Sequence, residues 1–217
     1  MYTAITGSEE IKININNTHI PDIRWHFIKF SYKIKYVETI ILTGPKHSGK
    51  TSAGEALASL CSCDFIDLDE LVFQRTGKSP RQLFSESPAV FQEAEAGAVA
   101  AILDANSAVG DNAAERRVIA AGGGIIDNDE AVAALKNSGA KTVYLNISAE
   151  NAWGRIAVGE LPPFLRTENP RETHRALHER RAAAYLRFAD IVIEVGGKTP
   201  EEIAQEIWKS LLTGESN

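Results

Sequence analysis

Residues 44–51 read Gly-Pro-Lys-His-Ser-Gly-Lys-Thr and match the phosphate-loop pattern G-x-x-x-x-G-K-[ST]. The run lies between residues 40–43, which predict a short buried strand, and residues 51–60, which predict a helix. In this context the N–H groups of the loop and the positive end of the helix dipole face the same anion. The sequence therefore predicts a site for nucleotide phosphates in a P-loop fold.

Each role in phosphate binding falls on a defined residue of this loop. Lys50 is expected to reach the β- and γ-phosphates of ATP, and the Thr51 hydroxyl is expected to hold Mg²⁺. The other predicted nucleotide contacts at the loop are Gly44, Ser48, Gly49 and Ser52. The motif predicts a phosphate site, but it does not by itself predict a reaction.

The chain that follows alternates short apolar runs with helical segments. Strands are predicted at residues 40–43, 65–67, 118–121, 142–147 and 191–195. Helices are predicted at residues 51–60, from 70, from 80, at 90–103, at 129–137, from 149, at 170–188 and at 200–211. Strands separated by helices indicate βαβ units. We therefore expect a three-layer α/β/α fold with a five-stranded parallel sheet.

The first 36 residues differ in composition from the rest, since alanine is nearly absent and Ile and Asn are frequent. We place a boundary between an extension, residues 1–36, and a P-loop domain, residues 37–217. Two interpretations of the extension stay open. It is an arm or an extra edge hairpin, or translation begins near Val37 and the native protein lacks it. N-terminal sequencing of the native protein distinguishes them.

Composition argues against several classes of protein. A net charge of −6 over 217 residues is a poor match to a general nucleic-acid binder. No run approaches the roughly 18 apolar residues of a membrane span, and no secretory signal pattern is present. Cys61 and Cys63 are too few and too close for a disulfide framework. We expect a cytoplasmic monomer whose partners are small molecules, with no nucleic acid and no membrane.

Among P-loop proteins, the small-molecule kinases fit best. The GTPase strings N-K-x-D and D-x-x-G do not occur in the chain. A motor or remodelling ATPase needs four apolar residues before Asp-Glu well downstream of the loop, whereas Asp69-Glu70 comes soon after it and follows Asp67. A small-molecule kinase needs only the phosphate loop, an acceptor pocket and a lid that excludes water.

Two further patterns lie at predicted strand ends, where open α/β sheets bind ligands. Asp67 and Asp69 follow one strand, so one carboxylate can serve Mg²⁺ through water and the other can accept a hydrogen bond from an acceptor hydroxyl. A helix N-cap is the structural alternative for either aspartate. Gly122-Gly123-Gly124 follows another strand and permits close approach to a ligand, or forms a flexible turn.

From about residue 37 to 212 the chain resembles the shikimate kinase family, a relative of the nucleoside monophosphate kinases. The resemblance rests on the phosphate loop, Asp67-x-Asp69, Phe91-x-x-x-Glu95, the triple glycine, and Arg180-Arg181-x-x-x-Tyr185 before Ala189-Asp190. It implies that ATP–Mg²⁺ phosphorylates the 3-hydroxyl of shikimate, in the chorismate pathway. It also implies an acceptor-binding region at about residues 68–98 and a lid at about 157–168.

The resemblance assigns roles to individual residues. Asp69 would hold the substrate hydroxyls and act as base, and Asp67 would serve Mg²⁺ together with Thr51. Gly123 and Gly124 would line the acceptor pocket. The remaining assignments are Arg181 to the substrate carboxylate and Arg155 to the adenine nucleotide.

Two positions depart from the family pattern. Gln92 stands where the family has an arginine for the shikimate carboxylate, and Pro162 stands where it has the lid arginine. Because a glutamine donates hydrogen bonds without a charge, affinity should fall or specificity should change unless another residue compensates. Arg166, just beyond the lid motif, is the better candidate to swing in, and Arg171 is the second.

Two other functions therefore stay open: a kinase of another small hydroxy acid or polyol, and a nucleotide-binding protein that has lost catalysis. Intact Lys50, Thr51, Asp67 and Asp69 argue against the second. Outside the motifs, His174 and His178 are expected to face solvent rather than bind a metal. Arg180 is expected to belong to a solvated helix face.

Overall fold

The computed structural model of this protein describes residues 2–6, 9–13, 39–104 and 117–213. The chain divides into two compact units, Met1–Tyr36 and Val37–Asn217. In the first unit, β1 (Tyr2–Thr6) pairs antiparallel with β2 (Glu9–Ile13). The two strands form a two-stranded sheet.

The second unit contains the predicted five-stranded parallel sheet. Its strands are β3 (Thr39–Thr43), β4 (Asp64–Asp67), β5 (Arg117–Ala120), β6 (Lys141–Asn146) and β7 (Ile191–Glu194). Their spatial order is β4-β5-β3-β6-β7, and every neighbouring pair is parallel. The strand that precedes the phosphate loop is therefore central, and the carboxyl ends of β3, β4 and β5 lie side by side.

Eight helices cover this sheet in the described part of the chain. They are α1 (Lys50–Cys61), α2 (Leu68–Thr76), α3 (Pro80–Glu86), α4 (Pro88–Leu103), α5 (Asp129–Asn137), α6 (Ala149–Ile156), α7 (Pro170–Phe188) and α8 (Pro200–Thr213). Several of them begin at side-chain caps; for example, Asp67 caps α2, and Ser79 forms a capping box with Gln82 at α3.

The core consists of two apolar clusters, one on each face of the sheet. Ile40 and Leu42 belong to the cluster under α1 and α8, whereas Ile41 belongs to the cluster under α2, α4 and α5. Successive residues of a strand point to opposite faces, so the continuous apolar run of β3 is buried on both. This arrangement gives the predicted α/β/α layers.

The two histidines of α7 do not face solvent as predicted. His174 is buried, and its ring centroid lies 5.6 Å from that of Trp153 on α6. His178 is partly buried, and its Nε2 atom lies 2.9 Å from the carbonyl oxygen of Ile147. Both rings pack between α6 and α7, because a strongly polar helix still turns one face toward its neighbour.

Candidate active site

The phosphate loop closes on itself around the Lys50 side chain. Gly49 caps α1 in the left-handed conformation, with φ of 93°, which glycine adopts at little cost. Lys50 Nζ donates hydrogen bonds to the carbonyl oxygens of Gly44 (3.0 Å) and Pro45 (2.9 Å). Desolvation lowers the pKa of Lys50 to about 8, although the carboxylates of Asp69 and Asp67 oppose the shift. The ammonium group therefore sits where a bound phosphate would restore its full charge.

The other predicted nucleotide contacts include one buried serine and one exposed serine. Ser48 is fully buried, and its Oγ atom has no hydrogen-bond partner within the described ranges. Ser52 is exposed on the first turn of α1. Arg155 on α6 donates from Nη1 to the carbonyl oxygen of His47 at 2.9 Å, which brings it against the phosphate loop.

Asp67 caps α2, which was the structural alternative for this residue, and it also contacts Thr51. Its Oδ1 atom accepts from the backbone N–H groups of Asp69 (3.0 Å) and Glu70 (3.4 Å) and so caps α2. Its Oδ2 atom accepts a hydrogen bond of 2.9 Å from the Thr51 hydroxyl. A hydroxyl and a carboxylate side by side are oxygen donors of the kind that Mg²⁺ prefers, and the ion completes its shell with phosphate and water. The pair therefore fits a magnesium ion.

Asp69 lies in the first turn of α2, at a cavity of about 690 Å³ that Thr51, Asp67 and Ser79 also line. The residue as a whole is exposed to this cavity, but protein atoms surround much of its carboxylate. This desolvation, and next the charge of Asp67, raise the pKa of Asp69, while Lys50 opposes the shift. A carboxylate with a raised pKa is a better proton acceptor for a hydroxyl.

Each glycine of the triple run lies against a different part of the site. A Cβ atom on Gly122 would lie 2.9 Å from Asp69 Oδ1 and 3.3 Å from Glu95 Oε1. A Cβ atom on Gly123 would lie 3.0 Å from the backbone nitrogen of Lys46 in the phosphate loop. On Gly124 it would lie 3.6 Å from Arg181 Nη2. The run therefore lies between the Asp69 carboxylate, the phosphate loop and Arg181 of α7.

Glu95 is buried next to Asp69 on the acceptor side. Its Oε2 atom accepts a hydrogen bond of 2.9 Å from Asn128 Nδ2, and its Oε1 atom has no partner within the described ranges. Burial raises the pKa of Glu95 to about 7, the Asn128 hydrogen bond opposes the shift, and the charge of Asp69 adds to it. The resemblance named Glu95 as part of a motif without giving it a role.

The arginines of α7 meet a residue that the sequence analysis missed. Arg181 donates to Asp127 Oδ2 from Nε (2.9 Å) and Nη2 (2.7 Å), and to the Gly123 carbonyl oxygen from Nη1 (3.2 Å). Arg180 also donates to both Asp127 oxygens, at 2.9 and 3.0 Å. Arg180 lies on an exposed helix face as expected, with a side chain that is 60% exposed, but its pairing with Asp127 was not predicted. An acidic residue so soon after the triple glycine was the signal for Asp127.

Gln92 binds the same short turn from the other side. The Gln92 Nε2 atom donates to the backbone carbonyl oxygen of Asp127 at 2.9 Å. The backbone carbonyl oxygen of Gln92 accepts from Asn128 Nδ2 at 2.9 Å. The turn Ile125–Asp127 is thus tied to α4 by amides and to α7 by ion pairs. In this structure Gln92 supports the turn after the triple glycine.

The lid arginines have acidic partners outside the phosphate loop. Arg166 pairs with Glu160, whose carboxylate also accepts from Arg81 of α3 at 3.3 and 3.4 Å. Arg171 pairs with Glu150 at 2.5 Å, near the start of α6. The structure therefore does not bring Arg166 or Arg171 to the predicted phosphate site, and a role there requires movement of the lid. Glu160 and Arg81 were not predicted.

Comparison with known proteins gives consistent results. The family model described as shikimate kinase matches residues 46–212. The shikimate kinases of Pseudomonas entomophila and Salinispora arenicola are 34% and 37% identical, over 81% and 77% of this chain and 96% and 93% of theirs. Shikimate kinase from Acinetobacter baumannii, solved in complex with shikimate, superposes with a TM-score of 0.73 at 27% identity, over 83% of this chain and 96% of that one.

No helix in the described ranges is long and apolar enough to cross a membrane. Within the same residues, no group of three or more His, Cys, Asp and Glu side chains is arranged to hold a metal ion.

Proposed function

The chain belongs to the shikimate kinase family, and from this membership we propose that it transfers the γ-phosphoryl group of ATP to the 3-hydroxyl of shikimate. One observation carries the proposal. The triple glycine places the Asp69 carboxylate and the phosphate loop against consecutive residues, at Gly122 and Gly123. An acceptor hydroxyl held by Asp69 would therefore lie beside the end of a triphosphate held by the loop.

On the phosphate side, the chain supplies positioning and charge. The loop N–H groups and the N-terminus of α1 would hold the phosphates, and Lys50 would leave the Gly44 and Pro45 carbonyls to contact the β- and γ-phosphates. Thr51 and Asp67 are the residues that would hold Mg²⁺. When bound, the ion neutralises charge on the phosphate oxygens.

On the acceptor side, Asp69 would orient the 3-hydroxyl and accept its proton. The bond that forms joins the hydroxyl oxygen to the γ-phosphorus, and the bond that breaks joins that phosphorus to the β–γ bridging oxygen of ATP. The raised pKa of Asp69 makes its carboxylate a better acceptor for the proton that the hydroxyl loses in the transition state. Arg181, fixed over Gly123 and Gly124, would bind the substrate carboxylate.

The lid would exclude water and complete the charge around the transferring group. Residues 157–168 include Arg166, whose guanidinium is exposed and paired with Glu160 on the same segment. An exposed ion pair contributes little stability, so a phosphate anion can compete for the arginine at small cost. Closure would thus replace Glu160 by phosphate at Arg166.

The test is release of ADP from ATP–Mg²⁺ by the purified protein, with shikimate, quinate or gluconate as acceptor. We expect release that depends on shikimate. Release with another acceptor alone would retain the kinase and replace its substrate. ATP binding without release in any mixture would contradict the proposal and favour a nucleotide-binding protein without catalysis.

A further inference from the structure

The Arg180–Asp127–Arg181 cluster lies at the edge of the proposed acceptor site and contains one more cation than the resemblance uses. Asp127 accepts four hydrogen bonds, two from each guanidinium. Both arginines belong to α7, and Asp127 belongs to the turn that follows the triple glycine. Together the three side chains carry a net charge of +1, since two guanidinium groups share one carboxylate.

Arg181 keeps donor groups for a ligand despite these contacts. A guanidinium has five N–H groups, and Arg181 uses one from each nitrogen, two toward Asp127 and one toward the Gly123 carbonyl. The remaining two N–H groups belong to Nη1 and Nη2. Its side chain is only 20% exposed and is held over the glycines, so little side-chain freedom is left to lose on binding.

The difficulty for a carboxylate ligand is charge rather than geometry. A carboxylate at Arg181 would also lie close to Asp127, whose ionised form is stabilised by the two arginines, which lower its pKa. If Arg181 alone faced Asp127, the pair would carry no net charge, and repulsion from Asp127 would offset the attraction of Arg181 for a second carboxylate. Gln92 adds no charge, and its amide is already bonded to the Asp127 carbonyl.

We propose that Arg180 is a positioning and specificity residue that neutralises Asp127, so that Arg181 keeps its positive charge for the carboxylate of the acceptor. Arg180 of α7 thus takes the place of the arginine missing at position 92. By neutralising Asp127, it supplies the second positive charge near the acceptor carboxylate. This inference rests on the proposed function, because it takes shikimate as the carboxylate-bearing acceptor. It extends that function to Arg180, to which the resemblance gave no role, and to Asp127, which lies outside the motifs.

The test compares steady-state kinetics of the full chain and four variants with shikimate as the varied substrate. In Arg180→Gln the KM for shikimate should rise about tenfold, while kcat and the KM for ATP change by less than about twofold. Arg180→Lys keeps the charge and should recover most of the affinity. In the double variant Arg180→Gln/Asp127→Asn the KM for shikimate should return close to the wild-type value. This variant lacks both the Arg180 cation and the Asp127 carboxylate that Arg180 neutralises.

Arg175→Gln is the matched control. Arg175 lies on the same helix, is exposed and pairs with Glu172 one turn away, so its loss should leave all constants unchanged. The tenfold effect should also shrink at high salt, since Arg180 is largely exposed.

Three results would overturn the inference. An Arg180→Gln variant with wild-type KM for shikimate shows that Arg180 does not act on the site. A raised KM that the double variant fails to restore shows that Arg180 does not act through Asp127. A wild-type protein that neither turns over nor binds shikimate in a calorimetric titration refutes the proposed function first, and the inference falls with it.

Discussion

The phosphate side and the acceptor side of this site are built in different ways. The phosphate side is one continuous segment, residues 44–51, whose lysine is held by carbonyls of the same loop. The acceptor side is assembled from α2, α4, the turn Ile125–Asp127 and α7, which lie far apart in the chain. The first keeps every position of its motif, whereas the second has Gln92 in place of an arginine.

The difference follows from what each side must provide. A backbone cradle depends on the conformation of every residue in a short loop, so a change at one position disturbs all the N–H groups. Recognition of a carboxylate by charge depends only on the position of a cation, and residues from several elements can supply that cation. Asp127 and Arg180 illustrate this freedom, because they join a turn and a helix 53 residues apart in sequence.

Lys50→Ala should produce the largest effect of these variants, and it changes only the phosphate side of the site. Lys50 would contact the transferring group, so we expect kcat to fall by about 10³-fold or more. The fold should persist, because the hydrogen bonds of Lys50 are to loop carbonyls that water can also satisfy. ADP release with shikimate measures the first, and the thermal unfolding midpoint measures the second.

Lys209→Ala serves as the control for this variant. Lys209 is an exposed lysine on α8, far along the chain from either motif, and its loss should leave turnover unchanged. Unchanged turnover in Lys50→Ala would instead refute the assignment of residues 44–51 as the catalytic phosphate loop.

Gly122→Ala should have the next largest effect and tests where the two sides meet. The new methyl group would lie 2.9 Å from Asp69 Oδ1, so the carboxylate must move. Because Asp69 ends in a movable side chain, we expect kcat to fall about 10²-fold while stability changes by only about 1 kcal/mol. Kinetics and chemical denaturation of the same sample separate the two quantities.

Gly97→Ala is a matched substitution without the contact. Gly97 is an exposed position inside α4, and a Cβ atom there meets nothing within 4 Å. Alanine favours the helix over glycine by about 1 kcal/mol, so this variant should be slightly more stable and fully active. If Gly122→Ala behaved in the same way, Asp69 would not be placed by the triple glycine.

The sequence predicts what local rules determine. The helices α5 and α7 have the bounds expected from Asp129 to Asn137 and from Pro170 to Phe188, because caps and an N-terminal proline mark their starts. The apolar runs predict all five strands of the main sheet. These signals lie within a few residues of the feature that they specify.

The features that were missed depend on contacts between distant segments. The burial of His174 depends on Trp153 in α6, and the position of Arg180 depends on Asp127. A sequence pattern shows that Arg180 lies on a polar helix, but it does not show which acidic residue the fold brings there. The same limit applies to Glu160, which binds two arginines from different segments.

Arg166→Ala should have a moderate effect and sharpens the comparison at the lid. If the lid closes and Arg166 replaces the arginine missing at Pro162, kcat should fall about 10- to 100-fold. Glu160→Ala removes the partner that holds Arg166 in this structure and should leave kcat within about threefold of wild type. If both variants are indistinguishable from wild type, the pair is a solvated surface contact and Arg166 has no place in the site.

Glu95→Gln should have the smallest effect. It tests the ionisation of the buried Glu95 carboxylate on the acceptor side, where the arginine at position 92 is missing. The pKa of Glu95 is raised from 4.5 to about 7, chiefly by burial, so the folded state binds this proton more tightly than the unfolded state does. Its contribution to stability is therefore complete below about pH 4.5 and is lost as the pH rises through about 7.

Glutamine has no proton to lose, so Glu95→Gln should remove this part of the pH dependence. Relative to wild type, the variant should gain about 1–3 kcal/mol in the free energy of unfolding between pH 5 and pH 8, measured by urea denaturation. Glu93→Gln, an exposed change on the same helix, is the control. An equal difference at both pH values would show that Glu95 does not titrate in this range.

Gln92→Arg tests whether the charge missing from the acceptor side at position 92 affects the protonation of Glu95. Position 92 lies one helical turn before Glu95, so an arginine there would favour the ionised carboxylate and lower the pKa of Glu95. The loss of stability between pH 5 and pH 8 should then shrink without any change at Glu95 itself. An unchanged pH dependence would show that the missing charge at position 92 does not govern the protonation of Glu95.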